Sequence, residues 1–213
     1  MYLPSHFASE DPAFAIALVD DHPFATVALS DAEGLLVDHL PVIRDPASAG
    51  LTSLIGHVAR ANPLWRRLSA AGRALVVFQG EQRYISPSWY ASKASDGQVV
   101  PTWNYALAHV QVGVRCIDDA DGKLAIVTAL TERFERPRAQ PWAVHDAPAA
   151  YIEKRLAGIV GLRLAVLNVT VKAKLSQNQP AGNRASLVAG LEREGDHAMA
   201  DAIRRAAPTN DRR

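Results

Sequence analysis

Three short polar strings interrupt apolar runs of the sequence and carry the groups that could do chemistry. Asp38-His39-Leu40-Pro41 puts a carboxylate beside an imidazole in the middle of a β-rich run. Gly56-His57-Val58-Ala59-Arg60-Ala61-Asn62-Pro63 lies where a strand gives way to a helix. Unpaired N–H groups and the positive dipole end at such a start, with His57 and Arg60 beside them, make an anion site of phosphate size, and Gly56 lets backbone approach closely. The third string, Lys172 to Pro180, places Lys172 and Lys174 on one face of a strand, where both can reach one anion or one stretch of solvent. Each string also has an inert reading. A lone strand histidine is commonly solvated, and Asn62 with two basic neighbours can be a plain helix cap.

A fourth segment is aromatic. Arg83 to Tyr105 holds Trp89, Trp103, Tyr84, Tyr90 and Tyr105, with Pro87 and Pro101 stiffening it and Ser88, Thr102 and Asn104 offering polar edges. Such a wall suits a flat ligand whose faces stack on rings while hydroxyls and an amide fix its orientation. The alternative is an aromatic seam at a domain or subunit boundary. Either way something else covers the segment.

Elements that must position these residues are legible from period and punctuation. Asp11-Pro12 starts a helix that runs to Asp21. Phe24–Leu29 and Leu35–Ile43 form a hairpin with Gly34 at positive φ, and 52–59 is a third strand. Leu64–Ala71 is a short helix ended by Gly72; 73–78 is a fourth strand closed by Gly80, and Tyr84-Ile85 opens a fifth. Trp103–Ile117 is long and alternating, helices follow at about 122–134 and 149–157, and Leu162–Lys174 returns to the sheet. Two helices, about 184–194 and 197–206, break at Gly195 and end the chain. Six or seven antiparallel strands with one returning strand fit a closed or partly open barrel better than a doubly wound parallel sheet.

Composition narrows the function. The 213 residues, without a Pro/Gly/Ser-rich linker, read as one domain, 1–213, with a helical tail at about 183–207. A net charge of +1 gives no global pull toward nucleic acid, and Glu192, Glu194, Asp196 and Asp201 offset the basic residues of the tail, so a helix-turn-helix reader is disfavoured. No leader and no long apolar stretch is read, which points to the cytoplasm and away from membranes. The single Cys116 excludes a disulfide or thiolate cluster and reads as a small buried hydrophobe, and scattered histidines lack metal-ligand spacing. Nucleotide-binding and hydrolase motifs are missing, so no catalytic residue is assigned.

These strings, with MYLPSHF at the start, HPFAT, YISPSWY, VVPTWNY, RAQPWAV and KLSQN, run in order along nearly the whole chain. In them the sequence resembles the PaiB family of FMN-binding negative transcriptional regulators. The resemblance implies a mainly β split barrel, antiparallel and of Greek-key type, with C-terminal helices, used as a homodimer with FMN at the subunit interface. The candidate FMN contacts are Asp38, His39, Leu40, Pro41, Gly56, His57, Arg60, Asn62, Ser88, Trp89, Thr102, Trp103, Asn104 and Lys174. Two functions stand: a flavin-bound repressor acting on DNA weakly or through a partner, and an FMN-dependent oxidoreductase acting on a small substrate.

Overall fold

A computed structural model describes residues 1–206. Seven strands and six α-helices form a mainly antiparallel sheet protein among the described residues: β1 (Ala8–Ser9), α1 (Pro12–Asp21), β2 (Phe24–Asp31), β3 (Gly34–Arg44), β4 (Ser53–Ala59), α2 (Leu64–Ala71), β5 (Arg73–Ile85), β6 (Thr102–Ile117), α3 (Ala120–Glu135), α4 (Ala149–Ala157), β7 (Ile159–Lys174), α5 (Ala181–Arg193) and α6 (His197–Arg205). The strand order is β1-β7-β4-β3-β2-β5-β6, and β7 and β6 also pair. Pairing of β7, second in this order, with β6 at its far end closes the sheet into the closed or partly open barrel that the alternating runs predict, with β1 outside the ring on β7.

The chain divides into two compact units. Among the described residues, one consists of 12–78 and 109–169, the other of 1–11, 79–108 and 170–206. Three of the crossings, at 78/79, 108/109 and 169/170, fall inside β5, β6 and β7. No flexible linker marks a boundary placed inside a hydrogen-bonded strand, which is why composition shows none.

In the first unit, Gly34 at φ 97° closes a hairpin in which Asp31 faces Gly34, and the register carries Phe24 opposite Pro41 and Thr26 opposite His39. Inward residues Ala25, Val27, Leu40 and Val42 are buried, as period-two alternation requires. α3 starts on Asp119, whose side chain accepts from the Gly122 N–H at 2.7 Å, and it packs Ile126 and Leu130 against Ile43, Ile55 and Ile117. In the second unit, α5 turns Gly190 to Trp89, so that a Cβ there would lie 2.7 Å from the indole. Asp196 caps α6 through the Met199 N–H at 3.1 Å after Gly195 at φ 78°.

The structure corrects four details. β5 is one strand through Gly80, whose φ is not positive and which therefore continues the extended backbone instead of ending it. The returning strand begins at Ile159, three residues before the predicted start. Cys116 is half-buried rather than fully buried, its thiol donating to the Trp65 carbonyl at 3.4 Å, and burial, with the nearby Asp118 charge, raises its pKa. β1 and the 3-10 turn at Ser5–Phe7 are too short to leave a periodic signal. The predicted tail is present as α5 and α6; its last position, 207, lies outside the described residues.

Candidate functional site

In the unit of residues 12–78 and 109–169, two of the polar strings meet. Asn62 Nδ2 donates to Asp38 Oδ2 at 2.5 Å while Asn62 Oδ1 accepts from the Leu64 N–H at 2.9 Å, so one amide ties Asp38 on β3 to the start of α2. Gly56 pairs with Val42, and a Cβ on it would stand 2.9 Å from the Pro41 carbonyl; only glycine permits this approach of β4 to β3. Asp38 accepts from the His39 N–H at 2.7 Å, Leu40 turns inward, and exposed His39 stacks on Phe24 at 6.3 Å. His57 Nδ1 is buried without a hydrogen-bond partner, and burial lowers the pKa of the ring below the usual 6.5.

Arg60 departs from the sequence reading. Its guanidinium pairs with both carboxylate oxygens of Asp118, donates from Nε to the Ala157 carbonyl at 2.8 Å and from Nη2 to the Ile159 carbonyl at 3.1 Å. The Asp118 carboxyl, hydrogen-bonded by Arg60 and Lys123, is held down at about 2. Arg60 is thus a clamp on the chain at 118 and 157–159, and few of its donors remain for an external anion. A partner 58 residues away leaves no local trace in sequence.

The other unit holds the second set. Asn104 is 1% exposed; its Nδ2 donates to Ser176 Oγ at 2.8 Å, and Lys174 Nζ donates to Thr102 Oγ1. Ser176 is at φ 59°, the one left-handed residue other than glycine among those described, and it turns the chain after β7 so that its hydroxyl meets Asn104. The phenol of Tyr90, with its pKa raised by burial, also bonds Ser176. These side chains line a polar cavity of about 220 Å³ whose lining includes one cation, Lys174. Lys172, predicted to share a face with Lys174, is engaged elsewhere: it is 8% exposed, donates to the Tyr2 carbonyl at 3.0 Å, and lies over the rings of Tyr2 and Tyr105.

The aromatic segment is only in part a platform. Trp103, 52% exposed, and Tyr84 meet edge-to-face at 6.3 Å, whereas Tyr90 is buried and Trp89 packs on Gly190. Ser88 Oγ accepts from Lys93 Nζ at 3.0 Å beside Trp89. Of the residues proposed from sequence, the structure brings Thr102, Asn104 and Lys174 together around the cavity, where Ser176 and Tyr90, absent from that set, also stand. The string KLSQN contains Ser176, yet nothing local distinguishes a left-handed serine from an extended one. Among the described residues no group of His, Cys, Asp or Glu is arranged to hold a metal ion.

A cation, buried amide and hydroxyls around a small cavity, with exposed rings in the same unit, can hold the phosphate or polar edge of a flat, charged ligand; no acid–base pair stands among them. The antiparallel, barrel-closing sheet defines a split-barrel protein. The family model described as "Putative FMN-binding domain" matches residues 1–168, and the chain belongs to that family, which the PaiB-like strings indicated. It is 30% identical over 194 residues to "Protease synthase and sporulation protein PAI 2" of Bacillus subtilis (strain 168), covering 91% of this chain and 90% of that one. FMN is accordingly the cofactor of this domain. Two solved structures share the fold: the FAD and haem binding protein from Mycobacterium smegmatis (TM-score 0.60, 23% identity, 86% of this chain and 80% of that one) and the flavocytochrome Anf3 from Azotobacter vinelandii (TM-score 0.55, 14% identity, 78% and 69%).

Proposed function

We propose that this protein is a homodimeric, FMN-binding negative regulator of transcription in the cytoplasm, with Lys174, Thr102 and Asn104 holding polar parts of the cofactor. The observation that carries the cofactor contacts is the walled cavity with Lys174 as its cation. Asp38, His39, Leu40, Pro41, Gly56, His57 and Asn62 form the second contributing set, held together by the Asn62–Asp38 hydrogen bond and by the close approach of β4 to β3 that Gly56 allows. Ser88, Trp89 and Trp103 supply ring faces and a hydroxyl edge. Arg60 acts behind this set, through the backbone that it clamps.

The regulatory reading rests on likeness to the Bacillus relative, whose name ties it to protease synthesis and sporulation. Direct DNA contact is weak on this reading, because the tail is self-neutralised: Arg204 pairs with Glu192 and Asp201, and Arg83 with Glu194 and Asp196. An FMN-dependent oxidoreductase is the second reading, favoured by the open ring faces of Trp103 and Tyr84, where a small substrate can lie. The cofactor supplies redox chemistry when bound, and the chain supplies binding and orientation. The deciding experiment is a fluorescence titration of apo-protein with FMN, followed by addition of NAD(P)H to the complex. Saturation at up to tens of micromolar supports the flavin reading. Bleaching of the visible band that is restored by a small acceptor selects the oxidoreductase, and an unreactive flavin selects the regulator.

A further inference from the structure

The groove between α3 and α4 belongs to neither set of cofactor contacts. We propose that it is a second binding site, for a small organic cation with an apolar body such as an arylalkylamine. The groove has a volume of about 560 Å³ and is bounded by α3, α4 and the 3-10 turn at Val144–Asp146. Its floor is apolar: Val144 and Leu156 are buried, Ile152 half-buried, and Leu124 39% exposed. A concave apolar surface of this size lies in the range of small-molecule sites and gains by burying a hydrocarbon or ring.

The rim sets the charge of the ligand. Asp121 and Glu132 from α3 and Glu153 from α4 border the groove, and among the described residues none of these three carboxylates makes a side-chain hydrogen bond or ion pair. No lysine or arginine is among the lining residues. The basic residues of the two helices are held elsewhere. Lys123 Nζ is 3.2 Å from Asp118, Arg133 donates to the Asp20 carbonyl at 2.6 Å, and Arg155 donates to Tyr151 at 3.2 Å and lies over its ring. Lys154 falls on the far side of α4, because Ala149, Ile152, Glu153 and Leu156 already define the inward face by helical spacing. His145 also borders the groove; its side chain is 87% exposed, with Nε2 3.9 Å from the Asp146 carboxylate. The three rim carboxylates, of which Glu132 also borders Arg133 and Arg136 on its other side, outnumber His145 over the apolar floor; they repel an anion, add nothing for a neutral molecule, and attract an ammonium head while the floor takes its body.

The test uses three probes with one body and three charges: 4-phenylbutylamine, 4-phenylbutan-1-ol and 4-phenylbutyrate, titrated against the full chain with ligand-observed NMR. The amine binds saturably at about millimolar strength for a molecule of this size. It outbinds the alcohol by about tenfold, since each solvent-exposed ion pair contributes roughly two- to fivefold, and the butyrate is weakest. Asp121→Asn with Glu132→Gln and Glu153→Gln brings the amine down to the level of the alcohol and leaves the alcohol unchanged. Thr128→Trp, filling the groove from α3, removes all three, with circular dichroism and FMN affinity as in the parent. Equal binding of the three probes, or a charge-neutralised variant that keeps its preference for the amine, overturns the proposal. So does the absence of saturable amine binding. In that case a shift of oligomeric state in Leu124→Glu, read by light scattering, identifies a second copy of the chain as the occupant instead.

Discussion

Lys174 is the cation of the polar cavity, and its ammonium is already aimed by Thr102. Lys174→Met keeps the aliphatic stem and removes the charge, so FMN affinity falls about 10- to 100-fold, the range of a lost charge-assisted hydrogen bond, while far-UV circular dichroism stays unchanged. His57 gives a second expectation at this scale. Its pKa is lowered by burial, so between the folded value and the ordinary 6.5 the unfolded chain binds the proton first. The stability that depends on a neutral His57 is therefore complete above 6.5 and is lost as pH falls below it. Urea midpoints measured from about pH 7 to about pH 5 drop more for the parent than for His57→Gln, and the His57 ring titrates below the ordinary 6.5 by NMR. Of the residues that matter here, those with unusual local chemistry were legible: Asp38, Gly56, Asn104 and Lys174 stand out against apolar runs. Ser176 and Asp118 were not, because their roles come from a backbone angle and from a pairing across 58 residues.

At the scale of elements, Arg60 shows how a sequence reading of one side chain can mistake its job. A basic residue at a strand-to-helix junction was expected to hold an anion; it holds two carbonyls and a carboxylate of its own chain. Arg60→Ala therefore lowers the thermal midpoint in a calorimetric scan, and shifts FMN affinity less than Lys174→Met does. Gly190 makes a similar point for α5. Alanine there gains about 1 kcal/mol of helix propensity but forces the Trp89 ring out of contact, an overpacking cost of about 1–3 kcal/mol, so Gly190→Ala destabilises in urea unfolding by up to about 2 kcal/mol. In a Trp89→Ala background the same change stabilises, and a double-mutant cycle reads the difference. Most elements were legible because they obey simple periods: α2 has Leu64 and Leu68 inward with Gly72 left-handed at its end, and β6 alternates as read. The two-residue β1 has no period to find.

At the scale of the whole molecule, the outer face of the β2–β3 hairpin carries Phe24 at 68% and Leu35 at 72% exposure, with Val37 and Pro41 also exposed. An apolar strip of that kind is costly to leave in water, and together with Trp103 it supports the homodimer. Light scattering at micromolar concentration gives a dimer, and Phe24→Glu with Val37→Glu shifts it to monomer. A charge of +1 and paired tail residues make sequence-specific DNA binding by the isolated protein weaker than about micromolar at physiological salt, which a gel shift checks.

The crossings inside β5, β6 and β7 carry a consequence for synthesis. A ribosome releases residues 1–11, then 79–108, and only at the end the segment from 170 onward, so one unit waits for three separated deliveries. Lys174 and Ser176 are in the last of them. The other unit is complete once residue 169 has emerged and can begin to fold first, while Thr102 and Asn104 stay without their partners until the final stretch arrives. A chain cut at residue 168, where the family match ends, would carry most of the recognisable motifs and lack the lysine and the left-handed serine. On the proposed assignment of this cavity to FMN, its capture waits for synthesis past Ser176, and a nascent chain arrested before residue 174 does not acquire it.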